Sequence, residues 1–316
     1  MLNRALHLLT DCFPMARTTM SAASSKSQHT STSQTRRTKR IRISYLGPPG
    51  TYTHQAAKQL FYGIASNAEQ DIEYIARGNI VETIESVLAS SSTRSEKQAD
   101  ADGVQDEPQC YAVVPIANST HGPVTDTMDR LGLQEVPQLT PGKRKDFICL
   151  PGKQDQMRLI QMTKLSIRHS LLMAPQQAAE MQRRYPSASP RESGDGHSNG
   201  ESIVTLPDEA LRCIQQVASH EQALGQCRLF CDSHLPNAKR IAVASTALAA
   251  SQLLFHLQPS SSDSPGGDML LRAAIASSFA AGEFGVTIVR KGIQDREDNT
   301  TQFVVLTTEA DHVFFP

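Results

Sequence analysis

The chain has 316 residues, 39% of them apolar, and a formal charge of −1; this is the composition of a soluble globular protein holding one large domain or two smaller ones. Its longest apolar runs, such as 203–206 and 303–306, fall far short of the roughly 20 residues that cross a bilayer, so no segment is expected to span a membrane. Residues 1–42 hold eight Lys/Arg against Asp11 alone, which leaves −8 on the rest and argues against nucleic acid as the main partner, because a phosphate-tracking surface needs its excess positive charge on the folded part.

Residues 1–40, basic and rich in Ser and Thr, read as a disordered leader on a cytoplasmic protein or, alternatively, as a mitochondrial presequence; their apolar stretch is too weak for secretion. Short apolar runs then alternate with amphipathic ones. Strands are expected at 41–46, 72–76, 111–116, 147–150, 167–173, 214–218, 240–244 and 286–290, with a closing strand around Phe303. Helices are expected at 52–62, 79–89, 124–131, 221–233, 247–256 and 270–281. This rhythm predicts an α/β protein with mostly parallel sheets and helices on both faces. Three stretches rich in Ser, Asp, Gly and Pro interrupt it, at 90–108, 185–201 and 258–267, and read as disordered surface insertions. The cysteines, Cys12, Cys110, Cys149, Cys213, Cys227 and Cys231, form no CxxC pair and have no His at zinc-ligand spacing; they read as small apolar residues in a reduced compartment.

In parallel α/β sheets ligands collect beyond the carboxyl ends of strands, where helix N-termini aim N–H groups outward. The first such junction, "GPPGTYTHQAA", offers Gly50, Thr51 and Thr53; the next, "PIANSTHGPVTDTMDRL", crowds Asn118, Ser119 and Thr120 ahead of a glycine. "SHEQALGQC" supplies Ser219 and Gln222, "ASTALAA" supplies Ser245 and Thr246, and "DNTTQFVVL" enters the last strand through Thr300, Thr301 and Gln302. The first four are also explained by helix capping or an Asx turn. A lone histidine beside a helix start, as at His54, His121 and His220, reads as a surface or capping residue. The ensemble describes a cleft that holds a small anion through neutral donors and helix dipoles, with no GxGxxG, P-loop, GxSxG or HExxH signature.

With "NIVETIESVLAS", "IAVASTALAA" and "AAIASSFAAGEFGVTIV", these stretches stand in the order and spacing of prephenate dehydratase, and the chain resembles that family from 41 to 306. The resemblance implies two α/β lobes arranged like a type II periplasmic binding protein, with the active site in the cleft between them. Lobe 1 would comprise about 41–118 plus 295–316, and lobe 2 about 119–294. It implies decarboxylating dehydration of prephenate to phenylpyruvate on the route to phenylalanine, without metal, flavin or nicotinamide, by a homodimer. It also implies that Thr301 assists the leaving hydroxyl, with Phe303 packed behind it.

Four departures stand out. Gln302 replaces the Arg of the family's Thr-Arg-Phe; if that Arg faces a substrate carboxylate, losing its charge costs about 1.5 to 3 kcal/mol. Ala117 replaces Glu in Pro-Ile-Glu-Asn-Ser, and Pro49 replaces Glu in Gly-Pro-Glu-Gly-Thr. These losses read either as a compensated pair or as a decaying, binding-only site. Members commonly continue into a phenylalanine-binding ACT domain, whereas this sequence stops at Pro316, so feedback through that module is not expected.

Overall fold

In a computed structural model of the chain, the described residues are 39–65, 70–97, 107–137, 147–149, 156–186, 202–255 and 270–308. Residues 1–38 of the expected leader, most of the three insertions and the final 309–316 lie outside them, while Lys39 and Arg40, expected in the leader, begin the first strand. The elements run β1 (Lys39–Leu46), α1 (Tyr52–Ala65), β2 (Gln70–Arg77), α2 (Ile80–Lys97), β3 (Gln109–Asn118), β4 (Gly122–Pro123) and α3 (Thr125–Leu131). Next come β5 (Phe147–Cys149), β6 (Gln156–Ser166), β7 (Ser170–Met173), α4 (Pro175–Arg184), α5 (Asp208–Leu211), β8 (Gln216–Ser219), α6 (Glu221–Gln226) and α7 (Arg228–His234). The chain continues through β9 (Lys239–Ala242), α8 (Thr246–Phe255), β10 (Arg272–Ala276), α9 (Ser278–Phe284), β11 (Thr287–Lys291) and β12 (Thr300–Thr307).

The strands form two sheets, ordered β2-β1-β3-β12-β6-β5, with β4 beside β3, and β11-β7-β10-β8-β9. Both are mixed where mostly parallel sheets were expected. β1 is parallel to β2 and β3, but β12 runs antiparallel to β3 and β6, as β5 does to β6. In the second sheet β10, β8 and β9 are parallel while β7 opposes β10 and β11. The cause is connectivity: β6 passes into β7 through 167–169 and β11 into β12 through 292–299. These are direct strand-to-strand crossings between sheets, free of the helical return that imposes parallel order. β5 and β6 belong to the first sheet, whereas the expected boundaries put all of 119–294 in the second lobe.

Each sheet buries both faces, and alternate residues along a central strand serve opposite cores. In β3 and β12, Tyr111, Val113, Phe303 and Val305 pack with Ala56, Ala57 and Phe61 of α1. Ala112, Val114, Val304 and Leu306 pack with Ile80, Ile84 and Val87 of α2. In the second sheet Leu171, Met173, Ala273 and Ile275 join the buried Cys227 and Cys231, while Leu172, Ala274 and Ala276 pack beneath Ala249 and Ala250 of α8. Both cysteines are reduced and buried, which raises their thiol pKa values by desolvation.

Four expectations need correction. The stretch 270–281 is not a helix but β10 followed, after the Ser277 cap, by α9. The helix expected over 221–233 is broken at Cys227, whose φ of −118° and ψ of 24° leave the helical region. The run 90–97, read as part of an insertion, continues α2. The strand expected over 167–173 is only its end, β7, and β6 before it was not expected.

Candidate functional site

Asn118 ends β3 and lies in register with Thr301 near the start of β12. Its Nδ2 donates to Thr301 Oγ1 at 2.9 Å and to Asn299 Oδ1 at 3.0 Å. Its Oδ1 accepts from the backbone N–H groups of Thr120 at 2.8 Å and His121 at 3.1 Å, so the Asx turn foreseen at this junction fixes which way the amide faces. Ser119 ties the same two segments: its N–H donates to Thr300 O and its Oγ accepts from Thr300 N–H, both at 2.9 Å. Residues more than 180 positions apart thereby form one polar cluster. Asn299, which the sequence reading passed over, is buried at its centre and also accepts from Thr120 Oγ1 at 3.4 Å.

Thr301 shares its sheet face with Phe303, which is buried against the α1 side. Position 302 therefore faces the other way, toward α2. There Gln302 stands in register with Ala117 on one neighbouring strand and Lys164 on the other, and Ala117 packs against the α2-side core. The side chain at position 302 and the Thr301 hydroxyl therefore stand on opposite faces of the sheet. The two positions where the resemblance supplies Glu and Arg are cross-strand neighbours.

The turn between β1 and α1 lies at the carboxyl edge of β1, and Asn118 lies at the carboxyl edge of parallel β3. Gly50 takes a left-handed φ of 83°, and a Cβ there would sit 2.7 Å from the Phe284 ring and 3.5 Å from Ala247 Cβ. Only glycine fits. This contact brings the first turn of α1 against α8 and the end of α9, which stand on the second sheet. Thr51 caps α1, its Oγ1 accepting from His54 N–H at 3.3 Å and donating to Leu46 O at 3.0 Å; Thr53 is buried in the first turn. His54 is not the surface or capping residue expected. It is 2% exposed, stacks on Tyr45, meets Phe279 edge-on and accepts the Gly50 N–H on Nδ1 at 3.1 Å. Burial lowers its pKa, so the neutral ring that can accept is the favoured form.

On the second sheet the hydroxyls are mostly committed to structure. Ser219 is fully buried and donates to Ile275 O at 2.6 Å. Ser245 Oγ accepts from Leu248 N–H at 3.0 Å, capping α8, and Thr246 opens that helix one residue from the Ala247 contact with Gly50. His220 caps α6 by accepting from Gln222 N–H, leaving the Gln222 side chain exposed. The two crossings lie side by side, with Ile167 N–H donating to Asn299 O and Ile293 N–H to His169 O. His169, missed in the sequence, is buried there. Its Nε2 lies 2.9 Å from Gln226 Oε1 of α6 and its Nδ1 3.3 Å from the Tyr52 hydroxyl of α1, joining elements that stand on different sheets.

The N-termini of α1 and α8 thus meet at Gly50, beyond the carboxyl edge of β1, while the Asn118–Thr301 cluster stands at the carboxyl edge of β3, the neighbouring strand; helix N-termini and neutral donors of this kind suit a small anion. A family profile described as prephenate dehydratase matches residues 43–189 and 200–311. The bifunctional chorismate mutase/prephenate dehydratase of Neisseria gonorrhoeae is 29% identical over 84% of this chain and 49% of its own length. The prephenate dehydratase of Bacillus subtilis is 25% identical over 87% of this chain and 66% of its own length. An arogenate dehydratase of Petunia hybrida matches 34% of this chain and 23% of its own length at 35% identity. The crystal structure of prephenate dehydratase from Arthrobacter aurescens, solved with L-Phe, shares the fold, with a TM-score of 0.51, 24% identity and coverage of 86% of this chain and 61% of that one. The chain spans about half the length of the bifunctional relatives. On the profile match across both sheets, it belongs to the prephenate dehydratase family.

Proposed function

We propose that this chain converts prephenate to phenylpyruvate, with Thr301 as the acid that releases the ring hydroxyl as water. The observation carrying this reading is the bond from Asn118 Nδ2 to Thr301 Oγ1 at 2.9 Å. An oxygen that accepts from an amide keeps its own proton for donation elsewhere. As the ring C–O bond breaks, that proton passes to the departing oxygen, and the electrons of the ring C–carboxylate bond complete the aromatic ring. The dianion plus one proton gives phenylpyruvate, carbon dioxide and water. Asn118 stabilises the charge left on Oγ1 by about 1.5 to 3 kcal/mol, the range for a hydrogen bond to an ionised partner, until solvent returns the proton. The carboxylates are held by the N-termini of α1 and α8, the positive ends of two helix dipoles.

The register of Gln302 with Ala117 supports a working site over a decayed one. Loss of an acid and a base from facing positions removes a pair and strands neither charge, and it occurs on the sheet face turned away from Thr301. Purified protein given prephenate at neutral pH is expected to form phenylpyruvate; a folded sample that binds prephenate without turnover would establish the binding-only alternative. The arogenate dehydratase match motivates a second reading, dehydration of arogenate, which a comparison of kcat/KM on the two substrates decides. We extend the proposal to a homodimer in the cytoplasm that handles small molecules and not nucleic acid; light scattering tests the assembly. Among the described residues no helix is long and apolar enough to cross a membrane.

A further inference from the structure

We infer that the second sheet carries, beneath α8 and away from the Thr301 cluster, a separate binding site for a small monocarboxylate with a compact apolar body. Arg272, Gln216 and Lys239 begin three adjacent parallel strands and lie in one register row, so their side chains leave the same face of the sheet. That face is the one covered by α8, because Ala274 and Ala218, two residues further along, pack with Ala249 and Leu253. Between sheet and helix lies a cavity of about 170 Å³, lined by Gln216, Arg272, Gln252, Ala218, Ile241 and Leu253 among others. An apolar cavity of about 150 Å³ admits a benzene-sized body.

The polar groups of this cavity are unspent. Arg272 Nε is buried without a hydrogen-bond partner. Arg130 and Arg290 share that feature, yet their guanidinium groups are anchored through Nη2 to Glu85 and Asp208. Arg272 makes no ion pair and no side-chain hydrogen bond among the described residues, and the same holds for the side chains of Gln216, Gln252 and Lys239. A buried N–H with nothing to meet costs about 1 to 3 kcal/mol, and native proteins rarely leave one so. A guanidinium beside a carboxamide on the sheet, a second carboxamide from the helix, no acid among the described lining residues and an apolar wall match a carboxylate head on a short hydrocarbon or ring: the guanidinium takes the oxygens in its planar fork, Ile241 and Leu253 cover the body, and the exposed Lys239 adds positive charge from outside the lining. The site is not an extension of the one around Thr301. Gln216 and Arg272 start their strands, whereas Ser219 and the α8 cap lie at the opposite, carboxyl edge, about 10 Å away along the strand.

The test uses benzoate as the probe and the uncharged benzamide as its shape control, on the full chain labelled with 15N. The Nε–Hε signal of Arg272, identified by its loss in Arg272→Lys, is expected to move saturably with benzoate and to stay still with benzamide. Benzoate should raise the thermal midpoint of the wild type, and Arg272→Gln should weaken that stabilisation about tenfold or more, with Lys239→Gln weakening it less. Arg272→Lys, which keeps the charge, should retain part of it, separating loss of the site from loss of the fold. Thr301→Ala should leave the Arg272 shift intact. A signal that ignores benzoate, that follows benzamide equally, or that responds in the wild type but not in Thr301→Ala overturns the assignment.

Discussion

Asn118→Asp is an almost isosteric change that reverses one hydrogen bond. The turn survives, because the oxygen that accepts from Thr120 and His121 is retained. The amide hydrogens given to Thr301 Oγ1 and Asn299 Oδ1 disappear, and an anionic oxygen stands 2.9 Å from the Thr301 hydroxyl. That hydroxyl must now donate to the new carboxylate, a bond of about 1.5 to 3 kcal/mol, which withholds its proton from the substrate and lowers kcat by about ten- to a hundredfold. The carboxylate also faces an acceptor on Asn299, at a stability cost of about 1 to 2 kcal/mol, or roughly 2 to 8 °C in Tm. Continuous measurement of phenylpyruvate absorbance gives kcat, and a pH series adds a second signature. Below the pKa of the introduced carboxyl the group is protonated and can donate again, so the variant should recover relative to wild type as pH falls from 7 toward 4. A folded variant with kcat within about threefold of wild type at pH 7 would refute the role given to the Thr301 proton.

Three further outcomes follow from the geometry. Gln302→Arg alone should not raise kcat and should destabilise slightly, because it sets a cation beside Lys164; combined with Ala117→Glu it should show a favourable coupling of about 0.2 to 1 kcal/mol in a double-mutant cycle. Ser219→Ala should cost about 1 to 3 kcal/mol in urea unfolding by leaving Ile275 O unpaired in the sheet, with KM for prephenate unchanged. His54 and His169 both have pKa values lowered by burial, so below pH 6.5 the unfolded chain binds protons that the folded chain refuses. Stability is therefore complete above pH 6.5 and declines as pH falls toward the lowered values; Tm measured from pH 8 to 5 should drop, and less steeply in His54→Gln.

Where one face of an element alone is buried, or a glycine and a cap mark its start, the sequence announces it, as for α1 and α3. Strand β6 hides because its period breaks: Val305 pairs with Gln161 and Leu306 with Leu159, leaving Ile160 as an extra residue that shifts the apolar positions of "QMRLIQMTKLS" out of alternation. β10 hides for another reason. Its alanines favour a helix in isolation, and burial on both faces erases the alternation that would have argued otherwise; the sheet overrides propensity. Helix α4 carries a legible signal, Pro175 at its first turn. At the candidate site the residue types were readable but their employment was not. Capping and ligand binding draw on the same hydroxyls, and only the fold separates Ser219, spent on Ile275 O, from Thr301, whose oxygen accepts from Asn118 and which donates to no other group among the described residues. At position 302 the sequence conceals the geometry, because a strand places neighbours on opposite faces and the bulge at Ile116 of β3 shifts which residue it meets.

The most direct test of the account is the rate of phenylpyruvate formation from prephenate by the wild type and by Thr301→Ala, each checked for an unchanged circular dichroism spectrum and Tm. The account predicts turnover by the wild type and a kcat lower by about a hundredfold or more in the variant, the scale of a lost general acid, with KM little altered. Equal rates from the two proteins would contradict it.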